Sequence, residues 1–308
     1  MTGFDVVGFG ALNVDKLFKV NRIAAAEEES FIQSHSETCG GSAANTIVGL
    51  ARLGCKVGFI GKVADDREGA LLLEDFWKEG VDTAGVVLVG QGESGQVMGF
   101  VDAKGERALY IDSGVNDTIA FDEVEADYVA RTRFLHLTSF VGEQSFQTQK
   151  QLLKALPANV KVSFDPGALY ARKGLAQLEP IMKRSYVVMP NAGELRLITG
   201  EEDYCRGADA LISMGVKVVA VKLGADGCYV TDGRERLRIE AFKVKAVDTT
   251  GAGDAFCAGF LYGLLNRKSL GECGRIGNFV ASQKVTEMGG RAGLPNKKDL
   301  ELLGNVVE

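Results

Sequence analysis

Short apolar runs alternate with amphipathic stretches along almost the whole chain, and few folds accommodate that alternation. Residues 4–10, 57–62, 133–137, 160–164, 186–189 and 216–222 read as strands. Between them, 43–53, 70–79, 146–156, 192–199 and 204–214 read as helices, the first two ended by Gly54 and Gly80. A strand that is apolar throughout is buried on both faces, and an intervening helix makes the next strand parallel. The pattern predicts an α/β fold: a mostly parallel central sheet between two helical layers, a three-layer α/β/α arrangement. Ligands of such sheets bind beyond the carboxyl ends of the strands. No repeat, low-complexity segment or proline-marked linker divides the 308 residues, so 1–308 reads as one domain.

Two regions depart from the alternation. Residues 17–20 with 31–35, and 95–101 with 107–111, read as short strands, the second pair joined through Asp102-Ala-Lys-Gly-Glu106. Val97 and Val101 fall on one face of the 95–101 strand, Met98 and Phe100 on the other. A small sheet that is apolar on both faces must cover something on each. Residues of about 16–37 and 94–112 are therefore expected to form a lid over a substrate pocket. The lid is also expected to pair two copies of the chain as a homodimer. An edge extension of the main sheet is the competing reading.

A formal net charge of −6 without any basic run argues against a nucleic-acid partner. Such a chain can still bind one anionic ligand where backbone dipoles converge. The six cysteines form no C-x-x-C pair and only two histidines accompany them, which disfavours a zinc site and favours buried, reduced thiols. No apolar stretch is long enough to span a bilayer, and the N-terminus carries Asp5 and no basic segment. A cytoplasmic protein with no membrane partner is expected.

The most informative short run is Asp248-Thr-Thr-Gly-Ala-Gly-Asp-Ala-Phe256, where an apolar stretch turns into a helix. Unpaired N–H groups at a helix start attract an anion, and the dipole adds to that pull. Gly251 and Gly253 let the backbone approach the anion closely. Asp254 is out of place in such a cradle unless it serves as a base, a metal ligand or a cap. Other stretches carry polar groups at strand ends or helix starts. Gly8-Phe-Gly-Ala-Leu-Asn-Val-Asp15 resembles a dinucleotide fingerprint only superficially, its third glycine position being Asn13. Cys39-Gly-Gly-Ser-Ala-Ala-Asn45 opens a helix with small residues. Asn191-Ala-Gly-Glu194 sets a carboxylate at a helix start, suited to a hydrated divalent ion. The glycines of Lys222-Leu-Gly-Ala-Asp-Gly227 suit a wall against a nucleotide.

Taken together and in this order, the stretches resemble the ribokinase family of carbohydrate kinases, also called the PfkB family, over essentially the whole chain. The resemblance implies a ribokinase-like α/β/α fold with a small β lid, and transfer of the γ-phosphoryl group of ATP to an alcohol. It makes Asp254 the base that takes the hydroxyl proton, and the N–H groups of Gly251, Ala252 and Gly253 the anion hole. Asn13, Asp15, Gly40, Gly41 and Asn45 match the residues that hold the sugar. Asn191 and Glu194 match the pair that organises Mg²⁺ through water, while Lys222, Gly224, Gly227 and Asn278 line the nucleotide side. Asp248 and the carbonyl of Thr250 match part of a site for a monovalent cation, K⁺, with Gly289 and Gly290 nearby in family order. These roles meet the needs of phosphoryl transfer: an in-line acceptor, a place for its proton and neutralisation of spreading charge.

The acceptor is less constrained. Ribokinases proper usually carry a lysine after the paired glycines, where this chain has Ser42, and a glutamate where Thr138 aligns. Arg107 is a candidate for a substrate phosphate, or a solvated lid arginine. Ser163-Phe-Asp-Pro-Gly167 resembles a segment of archaeal nucleoside kinases of the family, and Met98, Phe100 and Phe140 offer apolar surface for a base. The expected function is thus a kinase acting on the primary hydroxymethyl group of a sugar, with a nucleoside kinase as alternative. A non-catalytic sugar or nucleotide sensor is the alternative of another class, but it would be expected to lose Asp254 or the anion hole.

Overall fold

The computed structural model describes residues 3–104 and 106–304, without the side chains of Arg107 and 302–304. The chain opens with β1 (Phe4–Phe9), β2 (Asn13–Val20), β3 (Ile32–Gly40), α1 (Ser42–Arg52), β4 (Val57–Ala64), α2 (Arg67–Lys78) and β5 (Asp82–Val89). It continues through β6 (Gly95–Val101), β7 (Arg107–Asp112), α3 (Ala126–Ala130), β8 (Thr132–Leu137), α4 (Glu143–Ala155), β9 (Lys161–Phe164), α5 (Gly167–Ala171) and α6 (Gly174–Arg184). Then follow β10 (Ser185–Val188), α7 (Ala192–Thr199), α8 (Tyr204–Ser213), β11 (Val218–Lys222), β12 (Cys228–Thr231) and β13 (Arg236–Ile239). Three helices close the chain: α9 (Ala252–Leu265), α10 (Leu270–Lys284) and α11 (Lys297–Gly304).

Nine strands form one sheet in the order β13-β12-β11-β10-β9-β8-β1-β4-β5, with only the β11–β12 and β12–β13 pairs antiparallel. The expected mostly parallel sheet is present. Its order reverses at β1, which lies between β8 and β4. The carboxyl ends flanking that reversal are where the polar groups gather. Side chains alternate between two cores: Val6, Phe59 and Ala220 pack under α1, α9 and α10, while Val7, Leu135 and Val219 pack under α4, α6, α7 and α8. Among the described residues no helix is long and apolar enough to cross a membrane. All six cysteines are unpaired thiols, four of them buried.

The second sheet has the order β3-β2-β6-β7 and forms separately from the large one. It begins earlier than expected. After β1 the chain runs through Gly10–Leu12 directly into β2, so Asn13 and Asp15 sit on the small sheet and not at the end of the first large-sheet strand. The register sets Asp15 beside Thr38 and Val97, and Val97 beside Ile111. Side chains of a strand alternate between faces, so Asp15, Leu17, Val97, Leu109 and Ile111 share one face. Met98 and Phe100 take the other, where Phe18 stacks on Phe100 at 5.2 Å. Met98 and Phe100 are therefore turned away from Asp15. Phe140 is likewise unavailable to a ligand: it is buried against Phe9 at 5.5 Å.

Candidate active site

Adjacent parallel strands deliver adjacent polar groups. Thr138 and Ser139 follow β8, Asp165 follows β9, Asn191 follows β10 and Lys222 ends β11. All five line one cavity at the carboxyl ends, together with Ser42, Glu194, Gly253 and Asp254. Ser42 and Thr138, the two departures from ribokinases proper, thus both face this cavity.

Asp254 enters from the first turn of α9. Its Oδ2 accepts from Asn45 Nδ2 at 2.8 Å, and its main-chain oxygen accepts from the Thr46 hydroxyl at 3.2 Å. Asn45 is itself oriented: Arg291 Nε donates to its Oδ1 at 2.9 Å, which leaves the amide NH₂ for Asp254. Arg291 is anchored by the Asp75 carboxylate and by Gly40 O at 3.4 Å. Burial pushes the Asp254 carboxyl up to about 6; the Asn45 hydrogen bond opposes this and the charge of Asp165 adds to it. A carboxylate with that value is ionised at neutral pH yet basic enough to accept a proton.

The loop before α9 holds the helix start open. Gly251 has φ 76°, and a Cβ there would meet Gly290 O at 2.5 Å, so only glycine fits. The first N–H groups of any helix lack intrahelical acceptors. Here one is used locally, Ala252 N–H donating to Thr249 O at 3.1 Å. That turns the Ala252 N–H toward its own loop. Thr250 N–H and hydroxyl both donate to Asp248 Oδ1, at 2.9 and 2.7 Å, and Gly289 N–H donates to Oδ2 at 2.8 Å. Burial raises the Asp248 carboxyl, but these donors outweigh it and hold the group below its ordinary value.

The sugar-side residues meet at the root of the small sheet. A Cβ on Gly40 would lie 2.3 Å from Asp15 Oδ2, so Gly40 makes room for that carboxylate. Asp15 is pushed up to about 6 by burial, with Arg291 pulling it back. Asn13 Oδ1 accepts from Asn116 Nδ2 at 3.0 Å, and Asn116 also brackets the main chain of Leu12. Gly41 begins α1 with φ 104°.

On the opposite side, Lys222 Nζ donates to Asp165 Oδ2 at 2.6 Å, and Cys257 Sγ approaches the same oxygen at 3.3 Å. Asp165 Oδ1 is buried without a partner. Burial lowers the Lys222 ammonium, yet Asp165, Cys257 and Glu194 raise it overall. Asn191 and Glu194 do form the pair seen in the sequence, as a capping box: Asn191 Oδ1 accepts from Glu194 N–H and Glu194 Oε2 from Asn191 N–H, both at 2.8 Å. That engages one oxygen of each side chain. Burial, then repulsion from Asp165, raises the Glu194 carboxyl, while Lys222 and the Asn191 N–H oppose the rise.

Lys222, Gly224 and Gly253 also border a second, mostly apolar cavity that runs along Gly227, Phe242, Val244 and Asn278. Asn278 holds its wall, Nδ2 donating to Ile239 O at 3.1 Å and Glu240 O at 3.0 Å. Gly227 allows the same wall to cross, since a Cβ there would lie 2.0 Å from Ile239 O. The two cavities therefore meet at Gly253: an apolar slot of the kind that takes a base, opening on a polar pocket with a carboxylate at its floor. Asp165, Arg291 and Asn116 belong to this site although the motifs did not assign them roles. Asp165 lies in the quoted 163–167 stretch, a carboxylate one residue past a strand, and Arg291 follows the Gly289-Gly290 pair; for Asn116 the local sequence holds no signal.

Comparison with known proteins agrees with this geometry. The profile of the pfkB family of carbohydrate kinases matches residues 4–297. An uncharacterized sugar kinase of Archaeoglobus fulgidus is 46% identical over 82% of this chain and 100% of its own. An ATP-dependent ribose-1-phosphate kinase of Halopiger xanaduensis is 35% identical over 83% of each chain. The ribokinase structure from Thermotoga maritima superposes with a TM-score of 0.88 at 27% identity, covering 98% of this chain and 99% of the other. The fold is ribokinase-like, a large mostly parallel sheet with a smaller separate one. The chain belongs to the pfkB family of carbohydrate kinases, ATP-dependent phosphotransferases whose acceptor is an alcohol.

Proposed function

We propose that this kinase phosphorylates the primary hydroxymethyl group of a free sugar. The observation that carries the reading is Asp254, held by Asn45 at 2.8 Å in the polar cavity, next to Gly253 where the apolar cavity meets it. ATP lies with its base in the apolar slot and its γ-phosphoryl group at the start of α9. The N–H groups of Gly251 and Gly253 receive the charge that spreads over the transferred group. The sugar is held by Asp15 and Asn13, with Asn116 fixing the Asn13 amide so that its NH₂ is turned to the substrate. Asp254 takes the hydroxyl proton as the oxygen attacks. Lys222, held in place by Asp165, meets the phosphate chain between the cavities.

Glu194 and Asn191, joined by Asp165, fit a hydrated Mg²⁺: Asp165 offers an orphaned buried oxygen, and burial, then repulsion from Asp165, raises the Glu194 carboxyl. When bound, the ion neutralises phosphate charge. The small sheet acts as a lid, residues of about 16–37 and 94–112, rooted at the site through Asp15. Its exposed apolar tip pairs two copies as a homodimer, in the cytoplasm.

A phosphorylated acceptor, as in the name of the Halopiger relative, needs a cation of its own. The Arg291 guanidinium is already engaged by Asp75, Asn45 and Gly40; the side chain of Arg107 lies outside the described residues. One observation favours a second reading. Leu17, Val97, Leu109 and Ile111 share the face of Asp15, an apolar surface suited to the base of a nucleoside. ADP release from ATP and Mg²⁺, measured across free sugars, sugar phosphates and nucleosides, separates the readings. Turnover with free pentoses or hexoses that Asp254→Asn abolishes is the expected result. Turnover confined to nucleosides installs the second reading, and confined to sugar phosphates it overturns both.

A further inference from the structure

Lys284, the last residue of α10, is completely buried at 0% exposure. Lysines are almost never so placed without partners, because an ammonium taken out of water is costly. Its partners are main-chain oxygens: Nζ donates to Asp248 O at 3.1 Å and to Glu287 O at 3.2 Å. Those oxygens belong to two loops, one leading into α9 and one following α10. The same loops are tied by Val247 and Asp248 N–H to Val285 O at 2.7 and 3.2 Å, and by Gly289 N–H to Asp248 Oδ2. The seam ends at the contact of Gly251 with Gly290, directly behind the cradle.

A monovalent cation in this place would be held by carbonyl oxygens of both loops. It would fix the 248–251 segment and put positive charge behind the helix start. A site whose carbonyls already hold an ammonium does not fit a second cation, because two like charges would share one coordination shell. We infer that Lys284 is a tethered monovalent cation, a positioning residue that orders the loop from Asp248 to Gly251 for phosphoryl transfer and makes the kinase independent of added K⁺. Burial lowers the Lys284 pKa, while the carboxylates facing it, Asp248, Asp254 and Glu287, oppose that. Of the K⁺ ligands implied by the family resemblance, Asp248 thus meets, through its main-chain oxygen, a cation the chain supplies itself. The inference rests on placing the transferred phosphoryl group at the start of α9.

The test is a cation series at constant ionic strength, about 100 mM choline, sodium, potassium or ammonium, reading turnover and thermal melting with and without ATP and Mg²⁺. The wild-type rate and melting temperature should be the same in choline and potassium. Lys284→Ala should lose about tenfold or more in kcat with little change in KM for ATP, and regain much of it in potassium or ammonium. Lys284→Met fills the space and should lose rate without rescue, a difference that a purely structural lysine would not produce. A wild-type enzyme activated several-fold by potassium, or variants with wild-type kcat in choline, overturns the inference. Should the variants fail to fold, the wild-type series decides alone. A protein that turns over no sugar, yet melts identically in choline and potassium with ATP bound, defeats the acceptor reading and leaves this one standing.

Discussion

The two sheets of this kinase are built to opposite specifications. Every residue of β4 in the large sheet is buried, whereas β3 of the small sheet is exposed along its first six residues and buried only at Cys39 and Gly40. Strands covered on both faces cannot shift without opening two cores, so the groups at their ends are held rigidly. The small sheet is fixed at one end only. Its root carries Asn13, Asp15 and Gly40 into the site, while its margins leave Phe31 72% and Tyr110 59% exposed. Under the proposed function, chemistry sits on the rigid part and acceptor recognition on the hinge between rigid and adaptable parts. Loss of a group on the large sheet or the helices packed on it should then cost turnover; loss of a small-sheet group should cost acceptor affinity first.

The largest effect expected is that of Asp254→Asn. Asparagine keeps a partner for Asn45 but cannot take a proton, so kcat should fall by about 10²–10⁴ while ATP affinity changes little. The same variant should melt at a higher temperature at neutral pH, because it removes a carboxylate that burial makes costly to ionise. Near-normal turnover would take the base away from the start of α9 and break the contrast. Asp15→Ala comes next. It deletes a hydroxyl ligand at the root, and the acceptor KM should rise by about tenfold to a hundredfold with a smaller loss in kcat. A pure kcat effect would make the root part of the chemical machinery.

Third is the pH profile. Asp254 and Asp15 are each raised to about 6, so both hold protons to higher pH than ordinary carboxylates. A base is useful only when ionised, so kcat/KM for the acceptor should fall as pH drops through about 6. The two charges repel, and the limb belongs to the pair. For stability the sign is the reverse of the usual acid case. The folded chain binds protons that the unfolded chain has already lost, so these two groups make the protein less stable as pH rises from 3.8 toward 6. Melting temperature against pH should show that decline in wild type and a weaker one in Asp254→Asn. A limb near pH 4 would mean an acceptor-side carboxylate that water reaches freely.

Much of this was legible in the sequence, and the remainder resisted for physical reasons. The doubly buried parallel strands were readable because their apolar runs are continuous, and α1 and α7 because a small-residue start or a capping box announces them. β5 is an edge strand with no clean alternation. β13 does alternate, Arg236 and Arg238 exposed between the half-buried Leu237 and Ile239, but over only four residues, too short a run to stand out from a polar loop. In the site, Asp254, Asn45 and Asp15 could be named from local motifs. Their supports could not: Arg291 reaches Asn45 across 246 residues, and Asn116 reaches Asn13 across 103. Such partners are chosen by the folded topology, and nothing in their own neighbourhood marks them. Asn191 and Glu194 show both levels at once: a carboxylate at a helix start was readable from the sequence, whereas its reciprocal cap and the repulsion from Asp165 appear only in the fold.

The smallest effect is expected on the edge strand β7, and it sharpens the comparison most. Leu109 and Ile111 share the face of Asp15, two strands away from it, and are 51% and 53% exposed. If β7 only pairs two copies, Leu109→Ser with Ile111→Ser should shift the protein toward monomer in sedimentation, with acceptor KM altered by no more than about threefold. Each exposed side chain buries little against a free sugar held at Asp15. If the acceptor instead carries a base, the same pair forms its apolar wall, and KM for nucleosides should rise about tenfold or more while kcat at saturation holds. Sedimentation and KM thus move separately under the two readings. A loss of kcat in the double variant would mean that the edge strand transmits closure to the root, making the small sheet one rigid lever and not an adaptable cover on a fixed hinge.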